Sequence, residues 1–470
     1  MGSAIKRMST TPNVLVVIAD SLRAKSVSAF GGRRETTPFL SAFSTEATTY
    51  TQARSHSNWT LPSHASLFTG SSTAAAQFDI DTRLAPHQTI FEELAADGYQ
   101  TSLFTDNPFL IDHQTGLDNA FTTAVGSPET FDTKYETNGS LGDWPNGFWY
   151  ADQLLSWSAD QTTPWAACLN LMDTHRPYEP QPAYDIWSDE RIRQIQSEMG
   201  FKWHWEFLSG NVSLGFAKLL ETIYYGAVRQ VDAIFEQLVE TLRDRGTLDN
   251  TLIIFTSDHG EAFGAETALS NEPPAISHRI GTHELLYHVP LFVRLPRATN
   301  TSASTASTGG TVISDLAELA GIPRLIRSVV ADNNNSDIDP QRAICAKDGV
   351  TVATQLPIPA GMQREAARIC ETADPYTKRA DIIYSQRSDG TILKQARWGE
   401  DAYETLITGQ FEREDMGQID APTVIDAVAS DHKTSEISIN SIDEYDEFAE
   451  QYSNEFAEEL EDQLEALGYR

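Results

Sequence analysis

Cysteine, basic residues and long apolar runs are what this chain has least of. Its three cysteines, Cys168, Cys345 and Cys370, make an odd count with no metal-site spacing. Neither a disulfide framework nor a thiolate zinc site is therefore written into it. The same scarcity favours a reducing compartment, so a cytoplasmic location is the expectation. The apolar run Val14–Ala19 is six residues long, too short for the core of a signal peptide. Nothing approaches the ~18 consecutive apolar residues that a transmembrane helix needs. Lys and Arg together number 34 against 67 Asp and Glu, a net charge of −33. With no basic stripe to displace counterions, nucleic acid is excluded as a partner. The acids are spread through segments with clear apolar patterning, which describes a folded, heavily hydrated acidic surface like that of proteins from salt-accumulating halophiles.

What the chain does have is a series of apolar strands that end in reactive residues. Asn13–Ala19 reads as a buried parallel strand and runs into Asp20. Trp165–Leu171 is a second, ending in Met172-Asp173-Thr174-His175-Arg176-Pro177-Tyr178. Thr251–Phe255 is a third, followed by Thr256-Ser257-Asp258-His259-Gly260-Glu261. Adjacent Asp and His at a strand end can both reach one cation, and Gly260 permits the turn. Between these lie a helix from Thr37-Pro38, a strand over Ala47–Ala53, a helix over Gln88–Ala96, a strand over Tyr99–Phe104 and a long amphipathic helix over Phe216–Arg245. This alternation predicts an α/β fold with a mostly parallel sheet flanked by helices and a ligand site at the strand ends. Residues 110–150 and Tyr184–Gly210 read as the pocket rim and an insertion over the site.

The stretch Ser57-Asn58-Trp59-Thr60-Leu61-Pro62-Ser63-His64 reads as an exposed polar turn entering a helix at Pro62. Thr60 then stands just ahead of a helix N-terminus, where an anion is favoured. The stretch resembles the nucleophile segment of the sulfatase family, within the alkaline phosphatase superfamily, whose usual pattern is Cys or Ser, any residue, Pro, Ser, Arg. Thr60 replaces the residue that is oxidised to formylglycine, so that modification cannot be made, and His64 replaces the Arg. The resemblance extends to Asp20-Ser21-Leu22-Arg23, where most sulfatases carry a second acid at the place of Ser21, and to Asp258-His259-Gly260, with His for the frequent Asn. It implies an alkaline-phosphatase-like sandwich in which Asp20, Thr60, Asp258 and His259 hold one divalent cation. Oxygen donors suit Ca²⁺ or Mg²⁺, and the imidazole widens the choice to Mn²⁺ or Zn²⁺.

By the same resemblance Thr60 is the nucleophile, assisted by His64, His175 and His283. His175 and His283 contact the substrate's oxygens, with His283 matching a basic residue before the strand Val289-Pro290-Leu291, and His278 and His288 are structural or rim residues. An alternative gives Asp173, His175 and His283 a second metal. The function implied is hydrolysis of a sulfate or phosphate ester, or a phosphodiester, of a small molecule, glycan or lipid. Transfer to an acceptor other than water and a non-catalytic metal-binding role are the alternatives.

The organisation read from the sequence is a leader at 1–11, a catalytic domain at 12–325 closed by a helix over Ile313–Ile322, and a small subdomain of short antiparallel strands at 326–411. An acidic segment at 412–470 ends in a helix over Glu447–Leu467. Self-repulsion at a charge of −33 is strong in dilute buffer, where screening reaches only ~10 Å at 0.1 M salt. The melting temperature is therefore expected to rise steeply towards molar NaCl or KCl. A flat profile in a thermal melt series would exclude the halophile-like reading.

Overall fold

The computed structural model describes residues 11–72, 78, 82–111, 115–119, 121–137, 144–199, 203–278, 280–297, 310–331, 339–347, 349–354 and 378–408, with the backbone alone of 412–418 and 439–441. Residues 1–10 of the leader, the 301–309 loop, Cys370 and the terminal helix over Glu447–Leu467 lie outside them.

Eight strands form the central sheet: β1 Asn13–Ala19, β2 Thr48–Tyr50, β3 Gln100–Thr105, β4 Thr123–Val125, β5 Trp165–Leu171, β6 Thr251–Thr256, β7 Leu291–Arg294 and β8 Thr311–Ile313. Their order is β8-β2-β7-β6-β1-β5-β3-β4, and only β7 runs against its neighbours. From Val14 to Ala19 β1 is apolar and buried because both of its faces are covered. Val14, Val16 and Ile18 join a core with Leu61, Leu67 and Phe68 of helix Thr60–Thr69, and with the helices Ile90–Ala96 and Ile322–Val330. Leu15, Val17 and Ala19 join the opposite core, with Val231, Ile234 and Leu238 of the long helix Ala217–Asp244 and with helix Gly147–Ala159. The result is a three-layer sandwich. Each of these buried aliphatic side chains contributes roughly 1.5–3 kcal/mol, so the two faces together outweigh any single polar contact.

A second sheet follows: β9 Val350–Thr354, β10 Ala380–Gln386, β11 Ile392–Trp398, β12 Asp401–Thr408 and β13 Glu412–Gln418, each antiparallel to the next. The β10–β11 turn has Gly390 at a positive φ of 88°, and Asp389 accepts from the N–H and hydroxyl of Thr391. The buried face of this sheet packs Val352, Ile382 and Tyr384 against Leu286, Tyr287 and Leu316 of the first unit.

Two expectations are corrected, and one segment gains detail. The strand over Ala47–Ala53 is two pieces, because the chain turns at Thr51-Gln52 and Ala53–Arg54 leaves the main sheet to pair with Ala317–Glu318. The closing helix is Ile322–Val330, not Ile313–Ile322; Pro323 in its first turn suits a helix start, and the preceding residues are spent on strand pairing. Tyr184–Gly210 holds two helices, Glu190–Met199 and Trp203–Leu208.

The long helix also fixes the short helix Pro38–Phe43. Asp232 accepts from the backbone N–H groups of Phe39 and Leu40, 2.8 Å each, and burial pushes its carboxyl up to about 7. Removing this cap leaves two buried donors unmet. Asp232→Ala should cost about 1–3 kcal/mol in a denaturant melt, and an unchanged midpoint would show that the cap contributes nothing.

Candidate active site and metal centre

The strand ends of β1, β3, β5 and β6 lie at one edge of the sheet, and each delivers a residue to one place. β1 ends in Asp20 and β6 in Asp258-His259, and the two strands are direct neighbours. Ser21, held at φ 64°, turns the chain so that its N–H donates to Asp258 Oδ1 at 3.2 Å, while its hydroxyl donates to Asp20 Oδ1 at 3.1 Å. The His259 N–H donates to the same Asp258 Oδ1 at 2.8 Å. His259 Nε2 then lies 3.6 Å from Asp20 Oδ1 and 3.4 Å from Asp258 Oδ2. Gly260 is needed here for space, not for its backbone angle. A Cβ at that position would stand 1.9 Å from the Leu285 carbonyl oxygen.

Thr60 enters the same space from helix Thr60–Thr69. Its hydroxyl donates to Asp20 Oδ2 at 3.3 Å, and Asn107 Nδ2 donates to that oxygen at 3.2 Å and to Thr60 Oγ1 at 3.5 Å. The helix begins at Thr60 and not at Pro62, with Trp59 as its extended N-cap. The turn is also not exposed: Ser57, Asn58, Thr60 and His64 are all buried. Its polar groups are satisfied from elsewhere in the protein, which composition could not reveal.

The imidazoles show a common pattern. Nδ1 of His64 faces the Thr60 carbonyl at 3.0 Å, that of His175 the Arg176 carbonyl at 2.7 Å, and that of His259 the Gly260 carbonyl at 3.0 Å. A carbonyl only accepts, so each Nδ1 carries the proton and each Nε2 keeps its lone pair. Burial pushes His64 down to about 4, so this ring is neutral at physiological pH. The ring that completes the group is that of His278. It lies 4.5 Å from the His259 ring and 5.0 Å from the His175 ring, and its Nδ1 stands 3.2 Å from Glu261 Oε2. Tyr178 donates to that same oxygen at 2.9 Å, and burial pushes the Glu261 carboxyl up to about 8.

The structure thus brings together Asp20, Thr60, His64, Asp258 and His259, with His175 joined through His278. His283 is used differently. It caps the turn Glu284–Leu286, accepting from the Leu285 N–H at 3.1 Å, and is partly exposed. His278, read from the sequence as a structural or rim residue, stacks beside His259 and His175. Asp173 turns to Gly147 N at 3.1 Å and Gln230 Nε2 at 2.6 Å, so the second-metal set of Asp173, His175 and His283 is not assembled. Asn107 was missed, although it follows a strand whose end was plain in the sequence; the rule that ligands sit at strand ends would have found it.

A divalent cation fits this cluster. One ligand atom from each of Asp20, Asp258 and His259 lies within 4.8 Å of the others, all fully buried. Asp258 Oδ2 is buried with no hydrogen-bond partner. Burial and then the charge of Asp258 push Asp20 up to about 7, and burial pushes Asp258 to about 7 against the N–H groups of Ser21 and His259. Two buried carboxyls that resist ionisation together are relieved by a cation between them.

A sandwich of this kind is the fold of a protein in the alkaline phosphatase superfamily from Vibrio parahaemolyticus, which superposes with a TM-score of 0.55 at 14% identity over 90% of this chain and 86% of that one. The phosphonate monoester hydrolase of Agrobacterium radiobacter superposes with a TM-score of 0.59 at 16% identity, covering 97% of this chain and 96% of that one. The chain belongs to the sulfatase family, whose model matches residues 12–322. Among curated relatives, arylsulfatase K of Bos taurus is 23% identical over 368 residues, covering 68% of this chain and 64% of the relative. The arylsulfatase of Klebsiella aerogenes is 24% identical over 322 residues, covering 55% of this chain and 68% of that protein. The chain thus spans slightly less than two thirds of the cattle relative. Among the described residues, no helix is long and apolar enough to cross a membrane.

Without a cation, each raised carboxyl favours the fold most below its ordinary value of 3.8 and loses that contribution as pH rises through about 7. Metal binding needs both carboxylates ionised and so strengthens over the same interval. The rise in melting temperature on adding Mn²⁺ or Ca²⁺ to chelator-treated protein should therefore be larger at about pH 8 than at about pH 5.5. An equal or smaller shift at the higher pH would exclude this centre.

Proposed function

We propose that the chain is a metal-dependent ester hydrolase that forms a covalent intermediate on Thr60 and prefers phosphate esters or diesters to sulfate esters. The observation that supports this most directly is the Thr60 hydroxyl, buried at the start of a ten-residue helix and hydrogen-bonded to Asp20 in the carboxylate–imidazole cluster. A divalent cation held by Asp20, Asp258 and His259, together with Thr60, would supply Lewis acidity and charge neutralisation there.

The remaining work falls to the chain's own groups. Asp20 accepts the Thr60 proton as Thr60 Oγ1 attacks the phosphorus and the ester oxygen departs on the opposite side. Asn107 keeps the hydroxyl directed at the reacting centre. His175 and His278 line the same space; with its Nδ1 proton committed to the Arg176 carbonyl, His175 holds a substrate oxygen or gives the departing alkoxide a proton only as an imidazolium that also carries a proton on Nε2. Water then attacks the phosphorus, restoring the Thr60 hydroxyl and releasing phosphate or a monoester. The preference for phosphorus follows from the nucleophile. A formylglycine enzyme sheds sulfate by elimination from a geminal diol, a route closed to a side chain with one hydroxyl. A Thr adduct must be opened by a second in-line displacement, which phosphoryl chemistry accommodates readily.

Thr60→Ala should abolish turnover, and Thr60→Ser should keep a measurable part of it because the attacking oxygen is retained. Matched p-nitrophenyl sulfate, phosphate and phosphodiester substrates read out the preference. A kcat/KM for sulfate above both phosphate forms would overturn the phosphate assignment, and turnover by Thr60→Ala would overturn the nucleophile.

A further inference from the structure

The residues just before Thr60 are held from outside the region that carries the family match. Strand β9 supplies the first contacts: the Thr351 carbonyl accepts from His56 Nδ1 at 2.7 Å, and the Thr354 hydroxyl donates to Asn58 Oδ1 at 2.7 Å. Because that proton is committed to an amide oxygen, the Ser57 hydroxyl is the donor in its 3.1 Å contact with Thr354 Oγ1. His56, Ser57, Asn58 and Thr354 are all buried. Ser57 in turn accepts at its carbonyl from Ser63, one turn into the Thr60 helix, at 3.3 Å.

A second limb reaches the loop that carries His278. Lys394 of β11 is fully buried and places Nζ 2.5 Å from the Thr282 carbonyl and 3.1 Å from Glu284 Oε2. Tyr403 of β12 contacts the Thr282 hydroxyl at 3.0 Å, and Tyr384 of β10 donates to Glu284 at 3.0 Å. Arg54, six residues before Thr60, lies 2.7 Å from the other Glu284 oxygen and stacks over Tyr384 at 5.1 Å. Burial opposes ionisation of Glu284, yet the Arg54 and Lys394 charges hold its carboxyl far below the usual range.

We propose that the C-terminal antiparallel sheet is a positioning element of the active site, with Thr354 a positioning residue that sets the Thr60 hydroxyl against the reacting centre through Ser57 and Asn58. This rests on Thr60 being the nucleophile. The physical reason is the direction of the contacts: they fall on the entry segment of the nucleophile helix and on the His278 loop, the two parts of the site that the central strands do not themselves fix. A hydroxyl displaced by a fraction of an ångström loses rate without losing substrate binding.

Thr354→Val removes the hydroxyl at nearly constant volume. With bis(p-nitrophenyl) phosphate as probe, kcat should fall on the order of 10–100-fold, with KM and bound metal per chain unchanged, and Thr354→Ser should restore most of the rate. A wild-type kcat in Thr354→Val, or a loss confined to KM or metal content, overturns the proposal. Should the Val variant not fold, Ser57→Ala carries the same expectation on the milder side, and an unaltered kcat there overturns it equally. Thr60→Ala run in parallel separates the two readings. Activity in that variant sinks the nucleophile, whereas an inactive Thr60→Ala beside a fully active Thr354→Val sinks only the clamp.

Discussion

Two carboxylates sealed from water at neighbouring strand ends are the constraint around which this protein is built. Parallel pairing of Asn13–Ala19 with Thr251–Thr256 brings Asp20 and Asp258 together, and the sandwich then covers them. The basic residue closest in sequence does not answer them. Arg23 turns away to Glu221 and Ser26, with Tyr224 and Phe263 beneath its guanidinium. What faces the carboxylates is a set of imidazoles; main-chain carbonyls fix the tautomers of His64, His175 and His259, and burial pushes His64 down to about 4. A buried pair of like charges with neutral neighbours costs several kcal/mol if left alone. The cost falls when a cation is shared between the pair, and that is the physical ground on which the proposed metal centre rests.

Much of this could be read from residue order. Strands such as Asn13–Ala19 and Trp165–Leu171 were legible to the residue because both faces of a central parallel strand must be apolar, and such runs have no other soluble use. The reactive residues at their ends were legible for the same reason: a run of buried residues that stops at Asp or His marks where the sheet meets its ligand. The helix expected over Gln88–Ala96 is found at Ile90–Ala96, its start set by a complete capping box of Thr89 and Glu92.

What stayed hidden depended on partners far along the chain. Ser57 and Asn58 look like surface residues because nothing near them in sequence satisfies a hydroxyl and an amide. Their partner Thr354 lies 297 and 296 residues away. The choice between His278 and His283 is of the same kind. Both lie on one loop, five residues apart, and local pattern cannot say which ring turns inward. The structure seats His278 against Glu261, itself held by Tyr178, and gives His283 Nδ1 to the cap of the Glu284–Leu286 turn.

The departures from the usual sulfatase pattern make physical sense as a set. The common pattern has an acid at the place of Ser21 and an Arg at the place of His64, so this chain has lost one negative and one positive group from the same small volume. With His64 neutral, as its burial requires, the two losses cancel. Two ionised aspartates would be balanced by the proposed dication, as three acids less an Arg would be in the commoner arrangement. Charge balance in a sealed site is a stricter requirement than the identity of any one residue, because every uncompensated charge there is paid in full at low dielectric. The position of Ser21 becomes free to orient Asp20 and Asp258 by hydrogen bonds, which it does from a strained left-handed backbone. On the proposal that Thr60 is the nucleophile, its hydroxyl must be activated directly, and Asp20 and Asn107 are the groups that hold it.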